Sequence, residues 1–195
     1  IENPSRYSEI NLWFEFDLFC QANLFFILQR LAKHTLANTS IYWIQPEQHS
    51  VDEYFSGFGN TNNQQLKEYS SNRLLLEFAP RVWKAYTKNK KALLNDLTSN
   101  PPPAFHFFTE VFNAHLQRSS DDEYTANRIE KRLLEVIKNG VDSEIDLLHR
   151  FWETESIYGL GDLQVVNYIN NLQRKNWIDG LELTNAGEDA LKSTF

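Results

Sequence analysis

Two carboxylates, Glu15 and Asp17, close the run Trp13-Phe-Glu-Phe-Asp17. On an extended strand, residues two apart share a face. Such a pair could hold a divalent cation, or divide the work of general acid and general base. Gln21 follows one helical turn after Asp17 and can complete a polar cluster. The position matters as much as the residue types, because open α/β sheets place ligands at the carboxyl ends of their strands. Trp13, Glu15, Asp17 and Gln21 are therefore the candidate ligand-binding residues, with Glu15 and Asp17 the candidate catalytic pair. The structural alternative has Asp17 capping a helix, Glu15 solvated and Gln21 on the surface.

Other chemistry finds little support. No His-Glu-x-x-His pattern occurs among the 5 histidines. His106 and His115 fall on opposite faces of a helix, and His106 with Glu110 has the spacing of a surface contact. The single Cys20 excludes an internal disulfide and a cysteine-rich zinc site, and its apolar surroundings predict a buried, inert thiol. Gly57-Phe-Gly59 lacks the Lys-Ser/Thr pair of a phosphate loop, Gly159-Leu-Gly-Asp162 reads as a turn plus cap, and no Gly-x-Ser-x-Gly elbow is present. No metal ligand set and no cofactor are assigned.

The elements that must position the carboxylates follow from periodicity. Residues 9–15 alternate as a strand through Ile10, Leu12 and Phe14, and Asp17 can cap a helix running to about Lys33. That helix is apolar almost all round, as expected of one sandwiched between layers. Residues 40–45 form a buried strand stopped by Pro46, completing a βαβ unit with parallel strands. Two strands make a poor sheet. The chain opens at Ile1 and contains no Met, so the expectation is a domain fragment whose missing N-terminal segment supplies other strands. Residues 49–63 read as loop. Helices are expected over 64–70, 80–87 with Pro80 in the first turn, 90–97 and 104–117. The polar tract 119–123 marks a boundary, giving an α/β remnant with helical segments over 1–120 and a second domain over 125–195.

The second domain is the most legible. Asn127-Arg-Ile-Glu130 has capping-box spacing, and Gly140 ends that helix. Ser143 can cap a second helix carrying Ile145, Leu148 and Trp152, and Asp162 a third carrying Val165, Val166, Ile169 and Leu172. Trp177-Ile178 and Leu181-Glu-Leu183 flank a tight turn at Asp179-Gly180, and Thr184 opens a closing helix. Three helices, a ribbon and a last helix give the order of a winged helix. The fold class expected is thus a helix-rich α/β protein, a parallel βαβ layer followed by helices and a C-terminal winged-helix-like domain.

If that domain read DNA, its third helix would present Gln164, Asn167, Asn170, Asn171, Gln173, Arg174 and Lys175 to the major groove. Electrostatics oppose this. Residues 125–195 hold 8 Lys and Arg against 12 Asp and Glu, a balance of −4, and phosphate contacts supply most non-specific affinity. The whole chain of 195 residues carries −7, which also disfavours an anionic membrane surface. Hydrophobic residues at 42% and charged residues at 23% indicate a globular chain. No apolar run approaches the roughly 20 residues of a membrane span, so a cytoplasmic protein is expected.

The run from Ile10 through Leu12-Trp-Phe-Glu-Phe-Asp17 to Gln21 and Leu24 resembles a segment of a bacterial group, the domain of unknown function 1835 family. Looser similarities follow at Trp83-Lys-Ala-Tyr86, Asn127-Arg-Ile-Glu130, Gly161-Asp162 and Leu183-Thr184 with Gly187. The resemblance implies a bacterial cytoplasmic protein with an additional N-terminal α/β segment bearing an Asn-Gly-Asp-like motif. It implies no established activity, and it singles out Trp13, Glu15, Asp17 and Gln21. Three functions stand open. The first is a binding protein for a small polar or nucleotide-like ligand, with the winged helix meeting an unidentified protein partner. The second is a metal-dependent hydrolase using Glu15 and Asp17, and the third a DNA-binding transcriptional regulator.

Overall fold

The computed structural model describes residues 2–46, 58, 66–70, 73–105, 107–120, 122 and 124–192. The remainder of the 49–63 stretch, with Gly57 and Gly59, and His106 lie outside the described residues. The chain divides into two compact units, Ile1–Asn113 and Ala114–Phe195. That division falls inside a helix, upstream of the polar tract 119–123.

In the first unit, β1 (Glu9–Trp13) leads into α1 (Leu18–Leu31) and then β2 (Ser40–Pro46). The two strands are parallel, with Glu9 opposite Ser40 and Trp13 opposite Ile44. Ile41, Trp43 and Gln45 are buried along β2 while Tyr42 and Ile44 are only partly so, as the two-residue period of a strand requires. The Trp43 ring lies 5.4 Å from Phe105, and Phe105 in turn lies 4.9 Å from Phe25 of α1. The side of the sheet bearing Leu12 and Trp43 therefore faces the aromatic core.

Three expectations fail in this unit. Residues 66–70 form a strand, β3 (Leu66–Ser70), antiparallel to β2, giving the sheet order β1-β2-β3. A run this short cannot sustain its own helix, whereas the second edge of β2 offers it a full ladder of backbone partners. The sheet thereby gains its third strand from later in the chain. The next helix, α2 (Arg73–Thr87), carries Pro80 in its interior rather than its first turn. Leu75, Phe78, Ala79, Val82 and Ala85 are buried on both sides of the proline. This continuous stripe holds the helix through a residue that costs an exposed helix about 3 kcal/mol.

α3 (Lys91–Ser99) buries Leu94 and Leu97. A separate 3-10 turn, Pro103–Phe105, precedes α4 (Phe108–Gln117), where one continuous helix was expected. Phe25 is the hub of this core. Its ring meets Phe105 at 4.9 Å, Phe108 at 5.4 Å, Phe112 at 5.6 Å and Phe78 at 6.3 Å, the last three edge-on. Edge-to-face contacts of this kind add to the area each ring buries.

The second unit runs α5 (Arg128–Lys138), α6 (Glu144–Glu155), α7 (Asp162–Arg174), β4 (Ile178–Asp179), β5 (Glu182–Leu183) and α8 (Asn185–Lys192). The capping box is formed. Asn127 Oδ1 accepts from the Ile129 and Glu130 amides at 3.0 and 3.1 Å, and Glu130 Oε2 accepts from the Asn127 amide at 3.0 Å. Gly140 follows α5 with φ +82° and Gly180 turns the ribbon with φ +58°, conformations that L side chains avoid. Ser143 caps α6 by accepting from the Asp146 amide at 3.2 Å.

The inward stripe of α6 is Leu147, Leu148 and Phe151, while Ile145 is exposed. Ile145 sits one position off the stripe, so apolar character alone misplaced it. Trp152 is partly buried and spends its indole N–H on the Leu160 carbonyl, 2.9 Å away. Asp162 does not cap α7. Gly161 occupies that position, and the Gln164 side chain accepts from its amide at 2.8 Å. Thr184 caps α8 by accepting from the Gly187 amide at 3.1 Å. Glu155, almost fully buried, is neutralised by Arg128 at 3.0 Å and Arg132 at 3.5 Å.

Candidate ligand site at the end of the first strand

β1 ends at Trp13, yet the main chain continues beside β2, because the Phe14 amide donates to the Ile44 carbonyl at 3.2 Å. The Phe14 carbonyl in turn accepts from the Trp43 indole at 3.2 Å. Two hydrogen bonds thus fix the backbone immediately before Glu15. At Asp17 the chain turns into α1. Its Oδ1 accepts from the Cys20 amide at 2.9 Å, satisfying one of the free donors at the helix start.

Gln21 is buried, and its Nε2 donates to the Glu15 carbonyl at 2.7 Å, tying the first turn of α1 back to the strand end. The surface position considered for it is thereby excluded. Glu15 is partly buried, and its Oε1 accepts from the Phe58 amide at 2.7 Å. Trp13 remains 53% exposed, with the Phe58 ring 5.5 Å from its own. The structure therefore brings Glu15, Asp17 and Gln21 to one strand-to-helix turn and leaves Trp13 open beside it.

Cys20 belongs to the same cluster. One ligand atom from each of Glu15, Asp17 and Cys20 lies within 4.8 Å of the others. The thiol is only partly buried, but burial first, and the Asp17 charge second, push it up to about 12. It is a protonated group at neutral pH and no nucleophile. Spacing held the signal: Cys20 stands three residues after Asp17, on the turn that Asp17 caps.

The cap separates the two roles of Asp17. Asp17→Ala is expected to lower stability by roughly 1 kcal/mol through loss of the cap. Asp17→Asn, which keeps the acceptor and removes the charge, should hold the urea midpoint close to that of the parent chain. Equal losses in both variants would show that the charge, not the cap, stabilises the turn.

The candidate nucleic-acid residues fare unevenly. Lys175 donates to Glu130 Oε1 at 2.7 Å and lies 4.1 Å over the Trp177 ring. Arg174 donates to the Asn171 side chain and to the Asn170 carbonyl. Gln164 is the acceptor at Gly161 already described. Asn167, Asn170 and Gln173 are exposed on α7. The cations of this helix thus point into contacts within their own unit. His115 is partly buried, and burial together with Arg118 pushes its imidazole down to about 4.

Comparison with protein-family models, with curated proteins and with solved structures finds no match to the chain.

Proposed function

We propose that the chain is a binding protein, whose first unit takes a small polar ligand at the carboxyl ends of β1 and β2 and whose second, winged-helix-like unit engages a protein partner. The observation that carries the first part is the gathering of Glu15, Asp17 and Gln21 at the β1–α1 turn, with an exposed Trp13 beside them. Binding is favoured over catalysis because Asp17 is held as the cap of α1 by the Cys20 amide, while the exposed Trp13 ring offers a ligand a flat apolar face. For the second unit, the element order supports a winged helix. The −4 balance and the inward pairing of Lys175 favour a protein surface over a phosphate backbone as its partner.

A metal-dependent hydrolase is the second reading, favoured by the proximity of the Glu15, Asp17 and Cys20 ligand atoms. A relation to the domain of unknown function 1835 family, and with it a bacterial cytoplasmic setting, belongs to the same proposal and is supported by the Leu12–Gln21 run. Among the described residues no helix is long and apolar enough to cross a membrane.

Thermal melting in the presence of single divalent metals, nucleosides and nucleotides tests both readings. A rise in melting temperature with an organic ligand, lost in Glu15→Ala, supports the binding protein. A rise with a metal alone, lost in the same variant, favours the hydrolase, and no rise with any member of the panel rejects both. For the second unit, a mobility shift with duplex DNA at low salt would replace the protein partner with DNA.

A further inference from the structure

Gln45 is fully buried, and neither its amide nitrogen nor its amide oxygen has a hydrogen-bond partner. Both ends of an unpaired carboxamide are costly to desolvate, and a leucine or methionine of similar volume would avoid that cost. Its place in the fold gives the cost a meaning. Along β2 it follows Ile41 and Trp43 on the buried side of the strand, the side that meets the aromatic core. The register sets Trp13 opposite Ile44, so Gln45 stands at the level of Phe14, where the parallel strands end side by side.

Two polar residues of α1 are buried, Gln21 in its first turn and Gln29 near its end. Gln21 lies beside the carboxyl ends of the strands, where its Nε2 donates to the Glu15 carbonyl, so Gln45 shares that end of the layer with a second buried carboxamide. That end is where a βαβ unit meets its ligands.

We propose that Gln45 is a ligand-recognising residue of the site at the strand ends, reading a neutral, planar edge that offers a donor beside an acceptor, as adenine does. This rests on the binding-protein reading above. A carboxamide matches such an edge with two parallel hydrogen bonds, one from each of its unpaired atoms. Charge sets the rest of the ligand. Glu15 and Asp17 at the same strand ends oppose a phosphate, and the start of α1 is already capped by Asp17, so a nucleoside fits better than a nucleotide. Both amide atoms are buried from solvent. Binding therefore includes a local parting of the layer around Gln45, and association is slow.

The test is melting of the chain with adenosine, in the parent sequence and in Gln45→Leu and Gln45→Met. The expected result has three parts: adenosine raises the parent melting temperature, both variants melt higher than the parent without ligand by about 2–4 °C, and neither responds to adenosine. A response kept in both variants overturns the role of Gln45 and leaves the binding-protein reading standing. Variants that both melt below the parent also overturn it, since the amide would then be structural. If adenosine fails on the parent, this inference falls. The binding-protein reading falls with it only when the rest of the ligand panel fails too.

Discussion

Gly187→Ala is expected to unfold the second unit's closing segment, at a cost of roughly 3–4 kcal/mol. A Cβ at this position would lie 1.9 Å from the Trp177 carbonyl oxygen and 2.9 Å from its carbonyl carbon, far inside van der Waals contact. The obstacle is main chain, which cannot rotate aside as a side chain can. That main chain is also fixed, because the same carbonyl accepts from the Thr184 amide at 3.1 Å and the Trp177 amide donates to the Leu172 carbonyl at 3.0 Å. Relief requires α8 to move off the ribbon, and the buried Ala190 with it. The measurement is a urea titration followed by tryptophan fluorescence, with Gly180→Ala as a comparison: its added Cβ meets nothing within 4 Å, so only its φ of +58° is strained. A midpoint for Gly187→Ala equal to that of Gly180→Ala would show that the close approach is not maintained in solution.

The second large effect is expected from Phe25→Ala, at roughly 3–5 kcal/mol. Its ring is in contact with four other phenylalanines, from α2, α4 and the 3-10 turn before α4. Truncation leaves a cavity walled by rings that also pack on one another, Phe78 on Phe105 and Phe108 on Phe112, so collapse into the space is limited. Phe19→Ala on the same helix is the control, because Phe19 is exposed. Calorimetry should show a lowered transition for Phe25→Ala and almost none for Phe19→Ala. Comparable losses would mean that α1 buries a different face.

Much of this architecture is legible in the residues, and the failures have physical causes. Alternation at Ile10 and Leu12, the Asp17 cap, and the Asn127–Glu130 box are local features whose partners lie within a few residues. They are read directly because no distant contact competes with them. Residues 66–70 depend on an edge of β2 that sequence spacing does not reveal, and Pro80 is held in mid-helix by a stripe that begins before it. In each case tertiary packing overrides a local preference. At the candidate site, Glu15, Asp17 and Gln21 are brought together by the strand-to-helix turn on which they were placed. Cys20 was set aside because its neighbours are apolar, although it faces Asp17. Gln45 carried a signal too, as a polar residue continuing the buried period of Ile41 and Trp43.

Glu130 has a consequence of a different kind. One of its oxygens completes the box at the start of α5, and the other holds Lys175 at the end of α7. A single change, Glu130→Gln, preserves an acceptor for the Asn127 amide while releasing the ammonium and removing a negative charge. The unit therefore lies one substitution away from freeing Lys175 of its carboxylate beside the exposed amides of α7. The balance of residues 125–195 would move only from −4 to −3, and Lys175 would keep the Trp177 ring as its remaining contact.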